Sequence, residues 1–460
     1  MTNYGHQGGR PGWGHDKDDH FRFDISRDKA VQRDLGDGND TVSIGAGRGV
    51  PEVRLTFTSS EVGNGSSRDS DTMPNQDGGL AVRAQAENKS GDLVGPVSRF
   101  DDEGISFVGK GKFTFDVRDL VSGVERGNDF DVVRLGTKGN DKFNESGSHK
   151  AYYINAGMGH DHVTGGRADD FLVGGAGNDR LDGREGDDSF IGGAGDDTII
   201  GGKGDDLAIF NVATDGVDTV DLGRGSDTVN VMSPAAPQVR LTFTSSEVGN
   251  GGARDSDTMA NQDGGLAVRL QAEDAAGNLT GGVSRFDDEG ISFVGMTLGA
   301  TFDVRDLVSG VQRGDQFDVV TLGTKGNDKF DNSGKEQSYY INAGMGDDHL
   351  TGGLGDDFLV GGAGNDRLNG REGDDSFIGG AGEDVFVFSG DAGDDTILDF
   401  VSGTDTIDLS AYGIGFDDVQ STSMGADTVI GVDSNGDSAY DFQVTLVNAG
   451  APVQTDYFFG

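Results

Sequence analysis

The chain has 460 residues, of which 81 are glycine and none cysteine, with 80 acidic against 36 basic side chains and a formal charge of −44. That balance argues against nucleic acid and anionic lipid as partners, since both are held by Lys and Arg clusters, and the lack of cysteine excludes a disulfide scaffold, a thiolate zinc site and a cysteine nucleophile. With 33% hydrophobic residues, such a chain reads as disordered unless something neutralises its carboxylates, and a bound cation would do so.

Residues 1–50 form an N-terminal segment. Its start, MTNYGHQGGRPGWGHDKDDHF, has no apolar core of a signal peptide. No run in the chain approaches the roughly 18 apolar residues of a membrane span, so no membrane insertion is expected. His15 and His20 lie five apart, the wrong spacing for one helical face; together with His6 they could bind a transition metal, and a solvated tail is the plainer reading. A lone glycine-aspartate repeat, LGDGNDTVS, begins at Leu35.

Residues 51–135 read as β. VRLTFTS, GLAVRAQAE, GISFVG, FTFDVRD and DVVRLG are apolar at strand length, separated by turn-rich NGSSRDSD, NQDGG and DDEG. Several short strands with polar turns predict a β-sandwich-like module. Its acidic loop Asp101-Asp102-Glu103 could bind calcium or could be a solvated hairpin end, and so could Asp287-Asp288-Glu289. The segment recurs: VRLTFTSSEVGNG stands at Val53 and Val239, and SRFDDEGISFVG at Ser98 and Ser284, an offset of 186. Residues 237–322 are therefore a second sandwich-like module. Such duplication favours spacing or avidity over a single catalytic centre.

Each module precedes a glycine-aspartate array, at 136–232 and 323–388. Asp161, Asp170, Asp179, Asp188, Asp197 and Asp206 lie nine apart, as do Asp348, Asp357, Asp366, Asp375 and Asp384. Two residues after each stands an apolar position: Val163, Leu172, Leu181, Phe190, Ile199 and Ala208, then Leu350, Leu359, Leu368, Phe377 and Phe386, with only Ala208 small. A period of nine suits a turn plus a very short strand, repeated as a coil. If two repeats make one coil, aspartates 18 apart stack along the same edge. Rows of like charge at strand spacing repel strongly unless a cation lies between them. Carboxylates and turn carbonyls are hard oxygen ligands suited to calcium, which takes six to eight oxygens in flexible geometry; magnesium demands a stricter octahedron, and zinc wants His or Cys. Calcium is the expected cofactor, roughly ten ions in all, and its binding and folding become one equilibrium.

GGAGNDRLD, GREGDDSFI and GGAGDDTII resemble the nonapeptide of repeat-in-toxin (RTX), hemolysin-type calcium-binding proteins. The resemblance implies a parallel β-roll with calcium in the turns, so the expected fold is all-β, tandem β-sandwich-like modules alternating with parallel β-rolls of calcium-binding nonapeptide repeats. There are departures: Ala168 replaces the fourth-position glycine, Arg184 and Arg371 the second, and GTKGNDKFN at Gly136 and LGRGSDTVN at Leu222 are out of phase with their main arrays. Residues 389–460 extend the likeness. DVFVFSGDAGDDTILDFVSGTDTIDLSAYG is similar to the cap that follows RTX rolls in serralysin-like proteases, and TDYFFG, acidic before aromatic, resembles a type I secretion signal. The resemblance thus implies export through type I secretion machinery by way of the C-terminus. Within this cap, DSNGDSAYD places Asp433, Asn435, Asp437 and Asp441 like positions 1, 3, 5 and 9 of an EF-type loop, but Val444 stands at the twelfth position; a turn held by Asx hydrogen bonds is the alternative.

Catalytic motifs are missing: there is no His-Glu-x-x-His, Gly-x-Ser-x-Gly or Walker loop. His160, His162 and His349 fall in array turns and read as surface groups. The expected function is therefore not enzymatic. It is a secreted calcium-binding structural protein of the bacterial cell surface or extracellular matrix, self-assembling into homopolymers such as an S-layer, filament or adhesin. A secreted enzyme or toxin accessory, or a calcium-dependent lectin-like binder, is the other reading.

Overall fold

A computed structural model describes residues 20–29, 32–33, 40–46, 50–57, 82–90, 92–100, 104–110, 114–119, 129–233, 238–243, 268–273, 279–286, 290–295, 301–306, 316–390, 392–437 and 439–459. His6, His15, the start of the repeat at Leu35 and the acidic loops at 101–103 and 287–289 lie outside them. The chain divides into two compact units, Met1–Leu181 and Asp182–Gly460.

In both units the arrays wind as parallel β-rolls. Tyr153 pairs with Phe171 and Phe358 with Ser376, so one coil takes 18 residues, or two nonapeptides. Each short strand turns its apolar residue inward. All eleven array positions from Val163 to Phe386 are buried, and rings continue the stack, with Phe377 and Phe386 at 6.0 Å between centroids. Burying one large side chain per nonapeptide contributes about 1.5–3 kcal/mol each.

The first unit builds one sheet from His20–Asp24, Asp40–Gly45 and Ile105–Lys110, all parallel, then Val132–Thr137 antiparallel to Ile105–Lys110 and parallel to Tyr152–Met158, which pairs with Phe171–Ala176. The strands of the expected module form a second sheet: Leu93–Phe100, Val82–Glu87 and Glu52–Phe57 run antiparallel in turn, and Thr114–Asp119 lies parallel to Glu52–Phe57.

The second unit shows what the strand-rich segment does to a roll. Thr219–Arg224 pairs in parallel with Leu279–Phe286, and Asp227–Met232 with Ile291–Gly295, so the segment's strands take the next places on the roll's two faces. Ile291–Gly295 then pairs antiparallel with Val319–Leu322, which is parallel to Tyr339–Asn342, the first strand of the second array on this face. One sheet therefore runs from the first array through the strand-rich segment into the second. The physical reason is that a roll ends in open strand edges, whose N–H and C=O groups the segment's strands pair.

The C-terminal segment closes the last coils. Asp394–Ile397 pairs with Phe442–Leu446, and Thr406–Asp408 with Tyr457–Phe458. Ile430, Val444, Leu446 and Tyr457 join the same core cluster as Leu359 and Phe377. Of the aromatic residues of TDYFFG, Tyr457 is buried and stacks on Phe459 at 5.7 Å, while Phe458 is half exposed. No helix among the described residues is long and apolar enough to cross a membrane.

The turns need left-handed backbone. Gly362 and Gly364 have φ of 109° and 139°. Arg371 holds the position corresponding to Gly362 with φ of 83°, and Arg184 does so with φ of 86°, a conformation in which a Cβ crowds the following carbonyl. Arg371→Gly is therefore expected to stabilise the calcium-loaded protein by about 0.5–1 kcal/mol, the relief of strain outweighing the added freedom of the unfolded chain. Arg371→Ala, which keeps the Cβ, should bring no gain. Calorimetric melting of the two variants tests this, and equal midpoints for Gly and Ala would refute it.

Candidate metal centre

The array aspartates do two things at once. Within the second unit, Asp348 N–H donates to Asp366 Oδ1 at 2.8 Å, Asp366 N–H to Asp384 Oδ1 at 3.0 Å, and Asp384 N–H to Asp405 Oδ1 at 3.3 Å. On the other edge Tyr339 N–H donates to Asp357, Asp357 to Asp375 and Asp375 to Asp395, at 2.7–2.8 Å. The first array gives Asp188 to Asp206 to Asp227 and Asp197 to Asp218 in the second unit, and Asp141 to Asp161 to Asp179 in the first. Each carboxylate satisfies the backbone of the preceding coil, whose own aspartate does the same one coil further back.

These carboxylates are buried. Asp161, Asp170, Asp179, Asp188, Asp197, Asp206, Asp348, Asp357, Asp366, Asp375 and Asp384 are each no more than 3% exposed. While Oδ1 accepts an N–H, Oδ2 of Asp161, Asp206, Asp348, Asp366 and Asp375 is buried without a hydrogen bond, as is that of Asp218 and Asp227. Asp170 and Asp357 differ: their Oδ2 accepts the N–H of Gly166 and Gly353, each at 2.6 Å. Burial pushes the carboxyls upward, to about 7 for Asp161 and Asp366, about 8 for Asp206 and about 9 for Asp375, where Asp395 adds like-charge repulsion. The exposed aspartate one position earlier does a milder job, as when Asp356 accepts from Asp374 N–H at 2.9 Å.

Beside Asp188, Asp197, Asp206, Asp357, Asp366, Asp375 and Asp384 the space is kept open by glycine, whereas Ala156 and Ala343 hold the corresponding position before Asp161 and Asp348. A Cβ on Gly361 would collide with Asp366 Oδ2 and come within 2.7 Å of the Gly379 carbonyl; one on Gly352 would meet Asp357 Oδ2 and lie 2.7 Å from the Gly370 carbonyl. A carboxylate oxygen and a carbonyl oxygen from the next coil thus converge on one small space. No three His, Cys, Asp or Glu side chains cluster as a ready metal cage among the described residues. The donor set is one or two carboxylates completed by turn carbonyls, which fits a hard cation with flexible coordination.

The ladder extends beyond the strict nine-residue series. Asp218, Asp227, Asp395 and Asp405 continue it after insertions: Asp197 and Asp206 reach Asp218 and Asp227 across 21 residues. The extra residues are taken up at Asn211–Gly216, where Asn211 N–H donates to Asp215 at 2.7 Å. The out-of-phase stretch at Gly136 contributes Asp141, which also accepts from Thr137 N–H. The signal for these positions is Asp-Thr followed by Val or Ile, as in DTVDL, DTVNV, DTILD and DTIDL.

The EF-like loop is arranged differently. Asp433 accepts from Gly436 N–H at 2.7 Å, Asn435 from Asp437 N–H at 2.9 Å and Asp437 from Ala439 N–H at 2.9 Å, while Asp441 accepts from Ser434 and Asn435. The stretch is a run of Asx-type turns with its side chains largely in solvent. His160 accepts Asn178 N–H at Nδ1, a structural contact at the surface.

Two outcomes follow from these raised carboxyls. In the folded, chelated protein they keep protons that an unfolded chain has released above its ordinary 3.8, so each group destabilises the metal-free fold progressively as pH rises from about 4 to its own folded value, and no further above it. In chelator the melting midpoint should therefore be higher at pH 5 than at pH 8, and in calcium the order should reverse because protons compete for the ligands; a chelated protein that gains stability as pH rises would contradict the burial argument. Separately, Asp366→Asn keeps the acceptor for Asp348 N–H and removes the charge. It should raise the midpoint in chelator and cut apparent calcium affinity about tenfold or more, by circular dichroism and calcium titration. A variant with wild-type calcium response would remove Asp366 from the ligand set.

Comparison with known proteins agrees with this geometry. A family model for the RTX calcium-binding nonapeptide repeat, in four copies, matches residues 155–190, 173–208, 212–230, 340–359 and 351–386. Among solved structures the chain is similar to the AlgE6R3 subunit of a mannuronan C5-epimerase from Azotobacter vinelandii, with 26% identity over 30% of this chain and 80% of that one and a TM-score of 0.20. It is also similar to the extracellular lipase LipA from Serratia marcescens, with 18% identity over 76% of this chain and 45% of that one and a TM-score of 0.19. The chain thus spans less than half of the lipase, and neither superposition is close enough to carry an activity across. No curated protein matches the chain. The repeats, their coil of 18 residues and the family match together establish that the chain carries RTX calcium-binding nonapeptide repeats wound as a parallel β-roll.

Proposed function

We propose that the chain is a secreted structural protein of the bacterial cell surface or extracellular matrix, folded by calcium and assembling into homopolymers. In this reading the ions sit at the aspartate edges, held by Asp161, Asp179, Asp188, Asp197 and Asp206 in the first array and by Asp348, Asp366, Asp375 and Asp384 in the second, with Asp218, Asp227, Asp395 and Asp405 added. Asp170, Asp357 and Asp405, whose second oxygens are already capped by N–H groups, contribute least. The observation that carries the reading is the row of buried Oδ2 atoms without hydrogen bonds in both arrays. A fold that depends on neutralising them suits a compartment rich in calcium, and suits export as an unfolded chain.

Assembly is supported by duplication and by one edge. A duplicated chain presents similar surfaces displaced along its length, and heterologous contacts that do not close build filaments or sheets. Strand Val419–Met424 pairs antiparallel with Asp427–Val432, carries no charge and is exposed from Gln420 onward, with Met424 at 64%. An exposed, uncharged strand is open to strand addition. Calcium acts twice, folding the arrays and reducing the repulsion among chains of charge −44.

Ordered polymers are expected above a threshold calcium concentration, dissolving in chelator. Monovalent salt should not substitute, since screening supplies no coordination. Ser423→Lys, which charges the exposed strand, should fold normally in calcium and fail to polymerise. Light scattering with negative-stain microscopy across a calcium titration is the measurement, and a calcium-loaded wild type that remains monomeric at high concentration would overturn the proposal.

A further inference from the structure

In a chain with more than twice as many acidic as basic side chains, one sheet face concentrates arginine. In Gln238–Phe243, Val268–Glu273, Leu279–Phe286 and Thr301–Asp306, alternation sends Val239, Leu241, Leu270, Phe286, Phe302 and Val304 into the core. Among the described side chains of these four strands, the opposite face holds Arg240, Arg269, Arg285 and Arg305 against two carboxylates, Glu273 and Asp303. Arg240 occupies both: Nη2 donates to Glu273 at 2.8 Å and Nε to Asp303 at 2.9 Å, while Arg305 shares Asp303 at 3.0 Å. Arg269 and Arg285 have no ion pair among the described residues, and they stand directly opposite each other on neighbouring strands. Like charges in that position destabilise a sheet unless an anion bridges them.

Arg240, Arg269 and Arg285 line a cleft of about 440 Å³, within the range of small-molecule sites. Its other polar walls are Thr219, Thr242 and Gln271, neutral groups that exchange hydrogen bonds with hydroxyls. Val217, Leu279 and Val283 supply an apolar wall, with Val217 and Leu279 44% and 45% exposed. Asp218 also borders the cleft, but its Oδ1 is engaged by Asp197 N–H at 2.9 Å as part of the aspartate edge. The same residue types recur 186 positions earlier as Arg54, Thr56, Arg83, Gln85 and Arg99, and Arg54 is pinned alike, to Glu87 at 2.7 Å and Asp116 at 2.8 Å.

We infer that this cleft binds an acidic saccharide, with Arg269 and Arg285 sharing a carboxylate or sulfate group, Arg240 fixed beside them, Thr242 and Gln271 taking hydroxyls, and the apolar wall covering the C–H face of the sugar. Guanidinium groups match such oxyanions through paired N–H donors. The Glu273 and Asp303 carboxylates hold Arg240 in place before the ligand arrives, which lowers the ordering cost of binding. A purely ionic surface would need neither the amide and hydroxyl groups nor the apolar wall.

The test is titration calorimetry on the full chain at fixed free calcium, with tetragalacturonate, a sulfated tetrasaccharide, a neutral tetrasaccharide and inorganic phosphate as probes. Binding of the first or the second is expected, and which of them binds identifies the anionic group. Affinity should fall as salt rises. Arg269→Gln/Arg285→Gln should remove binding at this site or weaken it at least tenfold while leaving the calcium-induced β signal intact. Leu279→Asp, at the exposed mouth, should weaken it similarly by repulsion and keeps the test decisive if the double variant misfolds. Equal binding of the neutral sugar, binding of phosphate alone, or unchanged affinity in the variants would overturn the assignment. So would self-association of the chain lost in these variants without any saccharide binding, which would give the cleft to a second copy.

Discussion

Everything in this fold depends on a carboxylate that must be buried to close the backbone. The N–H of each array aspartate lies where a helix or hairpin would normally offer it a carbonyl, and in the roll it is met instead by the carboxylate one coil further on, as Asp348 N–H is by Asp366. Orphaned buried N–H groups are costly, so this carboxylate cannot be dispensed with. Burying it, however, leaves its second oxygen without a hydrogen bond and its charge in poor solvent. Only a proton or a cation resolves that conflict. The glycines at positions such as 352 and 361, the thin stack of single large side chains and the excess of acid over base all follow from it: room beside the carboxylate excludes side chains, and what remains for the core is one residue per repeat.

Much of this could be read in the sequence because the constraint is periodic. The nine-residue spacing gave the 18-residue coil, the two edges and the buried apolar positions, and each stands in the structure where the pattern placed it. Where the period broke, the reading stopped short. Asp218 and Asp227 occupy the same edges as Asp197 and Asp206, but three extra residues hide them from a search at fixed spacing. What survives an insertion is local: the aspartate, a threonine and an inward aliphatic residue. A turn can lengthen into solvent at Asn211–Gly216 without disturbing the strand that follows, so spacing is the less durable signal.

Long-range pairing was less legible. Apolar residues at strand length identified the strands that correspond to residues 239–243, 268–273 and 301–306, but Leu279–Phe286 was missed, and nothing in the local pattern told that it would lie in parallel beside Thr219–Arg224. A sandwich and a continuation of the roll bury the same residues; what separates them is which edge is free. The EF-like stretch shows the converse ambiguity. Asp, Asn and Asp at alternate positions serve equally to ring a cation and to accept the N–H two or three residues on, and the contacts of Asp433 with Gly436 and of Asn435 with Asp437 are compatible with both.

The continuity of the sheet gives the duplication a physical meaning within the second unit. Because Ile291–Gly295 pairs on one side with the last strand of the first array and on the other with a strand that leads into the second array, neither array ends in an open edge on this face, whereas on the other face Lys329–Asp331, the first strand of the second array, pairs among the described strands only with His349–Thr351. In a solenoid, stability is a sum of repeat terms and nearest-neighbour interfaces, and an unpaired end is its weakest point. The strand-rich segment thus acts as an interface on both sides, and the antiparallel step at Val319–Leu322 resets the chain's direction without breaking the ladder. It also turns outward the one face of that segment not needed by the core, and on that face stand Arg240, Arg269 and Arg285. A second copy inserted as an independent domain would have repeated a surface; inserted as part of the roll, it ties that surface to the coils that bear the buried carboxylates, and Asp218 on that edge borders the arginine cleft itself.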